Sequence, residues 1–279
     1  MIVQVTMTRN ECFLIKELLP IWSKYADGFV FLDDNSDDET SEFLKQNKEK
    51  YNILEVITHT REDKKLFVET DNRQKLFDAG RKYSNKIIFL DTDEYLDGAV
   101  TKEQLETFLD NNPDTGFFMK WVQYTSRDKC RVDSFWRNNF HDRMGHYTFP
   151  SKFAWCQTHS PHIPPAPKSI RLDPSHLFIA HLQWLDKRWV GIKQYYWKVV
   201  DYVNRLEHSV TTINCSDYDI SVNNFEWEYE DVNFPLRVDE KIYATQDVQN
   251  NYKLKYIQEQ TLKYNIPNLN DWGLGIHVS

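Results

Sequence analysis

Glycine is scarce in this sequence, and its shortage excludes the best-known phosphate-binding loops. Only 8 of the 279 residues are glycine. No GxGxxG pattern occurs, which leaves a dinucleotide cradle of the Rossmann type unsupported, and no Gly-Lys pair occurs, which excludes a P-loop. Any phosphate that this protein binds must therefore be held by other side chains.

Cysteine and long apolar runs are also sparse. The four cysteines include no CxxC pair and no metal-like spacing. We therefore expect reduced thiols in an intracellular, cytoplasmic protein. No apolar run approaches the roughly 20 residues of a membrane span. The opening residues, MIVQVTMTRNE, lack a basic leader and a long apolar segment, so we expect no signal peptide.

Charge is abundant but unevenly distributed. Residues 116–200 contain 13 Lys and Arg against 5 Asp and Glu, whereas the segments on either side are acidic and the whole chain has a formal net charge of −8. A basic segment of this kind indicates an anionic partner or substrate. It could equally neutralise acidic neighbours within the fold, and the sequence leaves both interpretations open.

The first hundred residues alternate between short β-rich runs and amphipathic helical runs. This alternation predicts βαβ units, and hence an α/β fold with a mostly parallel sheet flanked by helices. Pro20 is expected to kink or break the first helix. The predicted strands lie at 2–7, 28–33, 51–58 and 86–91, and the predicted helices at 11–26, 37–50 and 68–84.

After residue 98 the pattern changes. Residues 127–175 are basic and rich in proline, and we expect them to be mostly loop. Residues 209–240 are expected to be irregular. Further strands are predicted at 116–126 and 177–184, and further helices at 101–112, 186–208 and 240–264.

Polar side chains follow three of the four early strands, in the stretches 8–11, 33–36 and 91–94. Ligands of open α/β sheets collect at the carboxyl ends of strands, so these stretches line one crevice if the strands are neighbours. Asp91 and Asp93 project to the same side of an extended backbone. Carboxylates repel phosphate unless a cation intervenes, and Mg²⁺ or Mn²⁺ is commonly held by one or two carboxylates plus substrate phosphates. The pattern therefore favours a metal-phosphate site.

Four segments carry a family resemblance. MTRNE, FLDDNSDDET, NRQKLFDAG and IIFLDTDEYL resemble, in order and spacing, the motifs of family 2 glycosyltransferases with the GT-A fold, and the last matches the family's DxD motif. The resemblance covers the first hundred residues. It implies a GT-A (Rossmann-like) mostly parallel sheet with a helical C-terminal extension. It also implies a metal-dependent enzyme that moves a sugar from a nucleotide sugar, expected to be a UDP-sugar, to an acceptor hydroxyl.

The resemblance assigns roles to individual residues. The first motif would lie near the base and ribose, the second would accept a hydrogen bond from the base, and the third would reach the diphosphate or the base. Asp91 would contact the ribose or the metal, and Asp93 the metal. The nucleotide-sugar-binding residues implied in this way are Thr8, Arg9, Glu11, Asp34, Arg73, Asp91 and Asp93.

The resemblance further implies a late histidine that completes the shell of Mn²⁺ or Mg²⁺. His181 is preferred to His176 because it follows an apolar strand and precedes a helix. A hydrogen-bonded core histidine is the ordinary alternative. The predicted metal ligands are therefore Asp91, Asp93 and His181.

An inverting enzyme also needs a general base for the acceptor hydroxyl. Asp142 is the preferred candidate, ahead of Asp128 and Asp133, although no family motif marks it. The alternative is that Asp142 simply pairs with Arg143 or Arg137 on the surface.

Residues 120–143 interleave aromatic and basic side chains, which suits a glycan or another anionic acceptor. Transfer to modified bases of phage-type DNA is one alternative, and a non-catalytic carbohydrate- or nucleic-acid-binding module is another. We expect a nucleotide-sugar-binding α/β half over 1–115 and an acceptor-side half of the same domain over 116–208. A C-terminal helical extension over 209–279 would cover the acceptor side or mediate homo-oligomer formation.

Overall fold

The computed structural model describes residues 1–58, 69–154, 161–208, 228–244, 246 and 251–264. Within these residues the chain forms an α/β structure with a mixed sheet of eleven strands. None of the helices in this part of the chain is long and apolar enough to cross a bilayer. Arg61, His159, Cys156 and Cys215 lie outside the described residues, while Cys12 and Cys130 are buried free thiols.

The N-terminal part confirms the predicted βαβ arrangement. Strands β1 to β4 are parallel and lie side by side in the order β4-β1-β2-β3. The polar stretches that follow β1, β2 and β4 therefore meet at one edge of the sheet. The elements are β1 (Val3–Thr8), α1 (Cys12–Trp22), β2 (Gly28–Asp33), α2 (Thr40–Gln46), β3 (Ile53–Thr58), α3 (Glu69–Arg81) and β4 (Lys86–Phe89).

Helix α1 continues through Pro20 instead of ending there. Proline removes one backbone donor, but only two residues of α1 follow it, and the Ser23 amide still bonds to the carbonyl of Leu19 at 3.1 Å. The buried indole of Trp22 donates to the carbonyl of Glu94 at 2.8 Å, which ties the end of the helix to the sheet.

The remaining strands extend the sheet with antiparallel pairs. Strand β8 joins β4 to β6, and β10 lies between β5 and β6. Three of these strands fall in the segment 127–175 that the sequence indicated as loop-rich. They are β5 (Glu94–Gly98), β6 (Thr115–Tyr124), β7 (Lys129–Arg131), β8 (Phe140–His146), β9 (Lys168–Arg171), β10 (Leu177–His181) and β11 (Tyr229–Asp231).

Three further helices complete the described structure: α4 (Lys102–Asn111), α5 (Lys187–His208) and α6 (Tyr252–Tyr264). The helix predicted over 240–264 is thus shorter at its start. Helices α5 and α6 pack on each other through apolar side chains that include Ile192, Tyr196 and Ile257. This contact places the start of α6 beside the crevice at the end of β1, as the contacts of Tyr252 below make clear.

Candidate nucleotide and metal site

The loops after β1 and β2 are joined by hydrogen bonds that build the floor of the predicted crevice. The Asp34 amide donates to the carbonyl of Thr8 at 2.9 Å, and the Asn10 amide donates to Ser36 Oγ at 2.9 Å. Asn10 and Asn35 have φ angles of 53° and 60°, a left-handed conformation that asparagine tolerates better than most residues. The structure therefore brings Thr8 and Asp34 together as predicted.

Two other acids in the second motif have local structural contacts. Asp33 Oδ1 accepts a bond from the Ser36 amide at 3.0 Å. Asp38 Oδ1 accepts one from the Thr40 amide at 2.9 Å, at the start of α2. These contacts match the ordinary interpretation of both residues as loop- and helix-starting acids.

Arg9 and Glu11 line the crevice from the α1 side. Arg9 Nη1 lies 3.9 Å from Asp34 Oδ2, and its guanidinium stacks 4.7 Å from the ring centroid of Tyr252. Glu11 accepts a bond from the Thr92 hydroxyl and lies 3.4 Å from Lys253 Nζ. Both predicted donor-binding residues thus face the acidic turn after β4 or the start of α6.

Asp91 turns toward helix α3. Its Oδ2 lies 3.0 Å from His162 Nε2, and its Oδ1 lies 3.6 Å from Arg73 Nη2, while Glu69 holds the same guanidinium at 2.6 Å. Burial opposes ionisation of Asp91, but His162 and Arg73 nevertheless hold its pKa well below the usual range. Burial, Arg143 and Arg73 hold the pKa of His162 well below its ordinary value.

Asp93 turns the opposite way, toward α5 and β10. Its Oδ2 lies 2.8 Å from Lys193 Nζ and 3.3 Å from His181 Nε2, and its backbone carbonyl accepts the Leu182 amide at 2.9 Å. Burial opposes ionisation here too, yet Lys193 and His181 lower the pKa of Asp93 below its ordinary value. The expectation that Asp91 and Asp93 project to the same side is therefore wrong, because β4 ends at Phe89 and both acids lie in a turn that directs them to two sides of the crevice.

Glu94, the third acid of this stretch, is fully buried and paired. Arg143 donates two hydrogen bonds to its carboxylate, both at 2.8 Å, and both side chains are almost fully inaccessible. Glu94 Oε2 also accepts the Asp91 amide at 3.1 Å. This ion pair fixes the backbone of the turn that carries Asp91 and Asp93.

The donor set around Asp93 fits a divalent cation that substrate would help to ligate. His181 Nδ1 donates to Gln123 Oε1 at 2.5 Å, which aims Nε2 at the Asp93 carboxylate. Metal-ligating histidines are commonly oriented in this way by a second acceptor. Within the described residues no three His, Cys, Asp or Glu side chains converge on one point. Phosphate oxygens and water would have to complete the shell, as is usual for Mg²⁺.

Asp142 lies half-buried on β8, and its Oδ2 accepts the Ile163 amide at 3.3 Å. Burial is the main cause that raises its pKa above the ordinary value. The surface pairing considered as an alternative is not what the described residues show, because Arg143 bonds to Glu94 and Arg137 to Glu230.

The two other candidate bases have local partners. Asp133 makes two 2.6 Å hydrogen bonds with Arg131, and the pair is buried. Asp128 is exposed and accepts a bond from the Ser126 hydroxyl at 3.0 Å. These contacts leave Asp142 as the preferred candidate, and its role stays a prediction.

An aromatic wall adjoins the Asp93 side of the site. The Trp121 ring lies 4.4 Å from that of His181 and 4.3 Å from that of His141. Burial lowers the pKa of His141 to about 3. Trp121 Nε1 and His141 Nε2 are buried, and neither has a hydrogen-bond partner in the described part of the chain. These rings pack against one another and form a compact aromatic layer beside His181.

The basic segment is largely neutralised within the fold. Most of its cationic side chains in 120–143 meet carboxylates of this chain, so the second of the two interpretations left open by the sequence gains support. The pairs are Lys129 with Asp231, Arg131 with Asp133, Arg137 with Glu228 and Glu230, and Arg143 with Glu94.

Sequence reasoning missed three partners of the acidic turn, His162, Arg143 and Lys193, and also Lys253, which lies beside Glu11. Each is far from the turn in sequence. Three of them lie in the basic segment 116–200, whose net charge did not indicate which residues would reach the turn. The available signal was that a run of acids at the end of a buried strand requires nearby positive charge. That argument gives the need for partners but not their positions.

No protein-family model matches the sequence, and no curated protein matches it. Among solved structures, the chain aligns with TarS from S. aureus at 16% identity and a TM-score of 0.46, covering 78% of this chain and 42% of that one. A shorter TarS chain in complex with UDP aligns at 15% identity and 0.45, covering 80% of this chain and 78% of that one.

A third alignment is with the mannosyltransferase PcManGT from Pyrobaculum calidifontis, in complex with GDP-Man and Mn²⁺. It has 13% identity and a TM-score of 0.40, and it covers 96% of this chain and 75% of that one. The fold of this chain is thus remotely similar to those of TarS and PcManGT. At TM-scores below 0.5, these alignments carry no argument about the substrate, metal or chemistry of this chain.

Proposed function

We propose that this protein is a nucleotide-sugar glycosyltransferase whose donor binds at the carboxyl edge of β1, β2 and β4. The observation that carries the proposal is the turn after β4. Asp91 and Asp93 stay ionised on opposite sides of one crevice, and cationic side chains accompany both. Such a mixture of fixed charges suits a ligand that combines hydroxyl groups with a diphosphate.

Different residues of the crevice would bind different parts of the donor. Thr8, Arg9 and Asp34 would bind the base and ribose, since the Asp34 amide bonds to the Thr8 carbonyl and the Asp34 carboxylate lies 3.9 Å from the Arg9 guanidinium. Arg73 would reach the diphosphate. A UDP-sugar is the donor class that this set of residues is proposed to accept, in line with the motif resemblance.

Mn²⁺ or Mg²⁺ would be held by Asp93 and His181. Asp91, the third ligand predicted from the sequence, faces the α3 side of the crevice and would contact the ribose instead. When bound, such a cation offsets the negative charge of the departing nucleoside diphosphate. Gln123 would keep His181 Nε2 directed at the site, because Gln123 Oε1 accepts a hydrogen bond from His181 Nδ1 at 2.5 Å.

Transfer would proceed by displacement at the anomeric carbon. The acceptor oxygen forms a bond to this carbon while the bond to the diphosphate oxygen breaks, and the diphosphate leaves with the electron pair. Asp142 would take the proton of the acceptor hydroxyl, and its raised pKa makes it a better base than an ordinary aspartate. The acceptor is proposed to be a hydroxyl of a glycan or another, anionic molecule.

A carbohydrate acceptor agrees best with the neighbourhood of the site. Sugars stack on aromatic faces, and the aromatic layer of Trp121 and His141 lies beside His181 of the proposed site. The internal pairing of the basic segment weakens the case for a nucleic-acid acceptor, which would need free cations for its phosphates.

Titration calorimetry with UDP tests the proposal, with Mn²⁺ and then with a chelator. We expect Mn²⁺ to tighten binding of UDP to the wild-type protein. Asp93→Asn should weaken binding in Mn²⁺ by about tenfold or more, because contacts to charged groups contribute about 1.5–3 kcal/mol each. Asp231→Asn is the matched control, since that acid is exposed and pairs only with Lys129 in the described structure.

Absence of UDP binding to the folded wild-type protein would contradict the proposal and favour a binding module without donor chemistry. Equal affinities of the wild type and Asp93→Asn in Mn²⁺ would remove Asp93 from the donor site. A screen of nucleotide-sugar hydrolysis then identifies the sugar and the base.

A further inference from the structure

The packed pair of helices α5 and α6 reaches into the crevice at three points. Tyr252 lies beneath the guanidinium of Arg9, at 4.7 Å from ring centroid to Cζ. Lys253 Nζ lies 3.4 Å from Glu11 Oε1, and Lys193 Nζ lies 2.8 Å from Asp93 Oδ2. Each contact falls on a residue proposed to bind the donor, so these helices form one wall of the donor site.

The two lysines line one cleft together with the acids they contact. Asn10, Glu11, Asp93, Lys193 and Lys253 are all among the residues that line this cleft. Lys253 is only 8% exposed, although it belongs to a helix at the surface of the fold. Burying an ammonium group costs free energy unless acceptors surround it.

The acceptors that the described residues supply do not match the number of donors. Each ammonium has three N–H groups. Lys193 has one carboxylate oxygen at 2.8 Å. Lys253 has one at the long distance of 3.4 Å and a side-chain hydrogen bond with Tyr252, whose ring centroid lies 4.7 Å away. Lys253 is buried and Lys193 is partly exposed, and both line one cleft with N–H groups that are free to bond to an anion with several oxygens.

We propose that Lys193 and Lys253 bind the diphosphate of the nucleotide, so that helices α5 and α6 complete the donor site. This inference rests on the proposed function and extends it to the C-terminal part of the chain. Asp93 and Glu11 hold the two ammonium groups in place when phosphate is absent. When phosphate binds, each ammonium keeps its carboxylate on one side and contacts phosphate oxygens on the other.

The two lysines would stabilise the negative charge that develops on the diphosphate as it leaves the sugar. A fixed positive charge next to a leaving group contributes most when it is positioned before the reaction begins. Lys193 and Lys253 meet this condition, because contacts with Asp93 and Glu11 already position them. They would bind the leaving group and take no part in proton transfer.

The test compares three probes on the full chain: UDP, uridine and inorganic pyrophosphate, each titrated by calorimetry in Mg²⁺. Lys193→Gln and Lys253→Gln should each weaken UDP and pyrophosphate by about tenfold or more, as expected for loss of a charge-assisted bond. Uridine, which has no phosphate, should bind the variants as it binds the wild type. Lys255→Gln on the exposed side of α6 is the matched control and should bind all three probes normally.

A second measurement needs no variant. Acetylation of the wild-type protein, followed by mass spectrometry, should show that UDP protects Lys193 while uridine does not, and that neither protects Lys255. The inference would be overturned if UDP protected Lys193 and Lys255 equally, or if it did not protect Lys193 at all. This result would hold even if a Gln variant failed to fold.

The outcomes separate this inference from the proposed function. If UDP binds the wild type and both Gln variants with one affinity, the lysine pair is excluded while the donor site stands. If pyrophosphate binding needs the lysines but UDP binds no tighter than pyrophosphate, the pair stands as an anion site and the nucleotide proposal fails. Absence of binding of all three probes overturns both.

Discussion

Three acids within four positions of one turn repel one another unless each has its own partner. The three side chains after β4 avoid this repulsion because each points in a different direction. Asp91 meets Arg73 and His162 on the α3 side, Asp93 meets Lys193 and His181 on the α5 side, and Glu94 points into the core. Only the first two carboxylates are placed to meet a ligand.

Glu94 and Arg143 form a pair that should matter for stability. Removal of one member leaves an uncompensated buried charge, which typically costs about 3–5 kcal/mol. We therefore predict that Glu94→Ala lowers the free energy of unfolding by roughly this amount. Urea unfolding followed by tryptophan fluorescence measures the change.

The exposed pair of Lys129 and Asp231 is the control for that experiment. Asp231→Ala should change the free energy of unfolding by less than about 1 kcal/mol, because water already screens the pair. A loss of similar size in both variants would show that the Glu94 pair has no special role in holding the turn.

The sequence predicted the acids of the site better than their partners. Asp91, Asp93 and Asp34 stand directly after strand-like runs, so local pattern was enough to place them at one edge of the sheet. Lys193 and Lys253 belong to helical patterns in which a lysine is ordinary. Only the packing of α5 and α6 against the crevice distinguishes them from surface lysines.

At the scale of elements, the antiparallel pair of β5 and β10 aligns the two sides of the Asp93 site. Glu94 stands opposite His181, and Gly98 stands opposite Leu177 at the other end of the pair. The register of this pair therefore sets the distance between Asp93 and His181. Strand β5 was not predicted, because its acidic residues resemble a loop more than a strand.

Gly98 secures that register at the far end. Its φ of 150° lies in a region that favours glycine, and an added Cβ would come within 2.2 Å of the His176 carbonyl oxygen. We predict that Gly98→Ala destabilises the protein by about 1–3 kcal/mol or more, through backbone strain and this clash. Chemical unfolding of the variant measures the loss.

Ala99→Ser, at the exposed neighbouring position, is the control and should be close to neutral. Because β5 carries the acidic turn at its other end, Gly98→Ala should also weaken UDP binding. An alanine variant as stable as the wild type would mean that the β5–β10 pair adjusts without cost.

Element prediction succeeded where pattern and length were both clear. The four parallel strands and their helices follow directly from alternation of apolar and polar runs. Strands β7 and β9 have only three and four residues and lie in a proline-rich stretch, so their pairing with β6 decides their conformation. Such short strands depend on tertiary contacts that local sequence does not encode.

For the whole molecule, the uneven distribution of charge along the chain is mostly resolved in three dimensions. Arg137 of the basic segment pairs with Glu228 and Glu230 of the acidic C-terminal segment, and Arg237 of the latter pairs with Asp97. The basic and acidic segments of the chain therefore pair mainly with each other within the fold, which leaves fewer charges to attract an external partner. At the proposed nucleotide site, opposite charges meet and also line a cleft.

The central claim is that the acidic turn after β4 and the two lysines of α5 and α6 enclose one donor site. A crystal structure of the protein with UDP and Mn²⁺ tests it most directly. The account predicts density for a metal against Asp93 and His181, with the diphosphate within hydrogen-bond distance of Lys193 and Lys253. Density for UDP elsewhere, or a crevice left empty at saturating UDP, would contradict it.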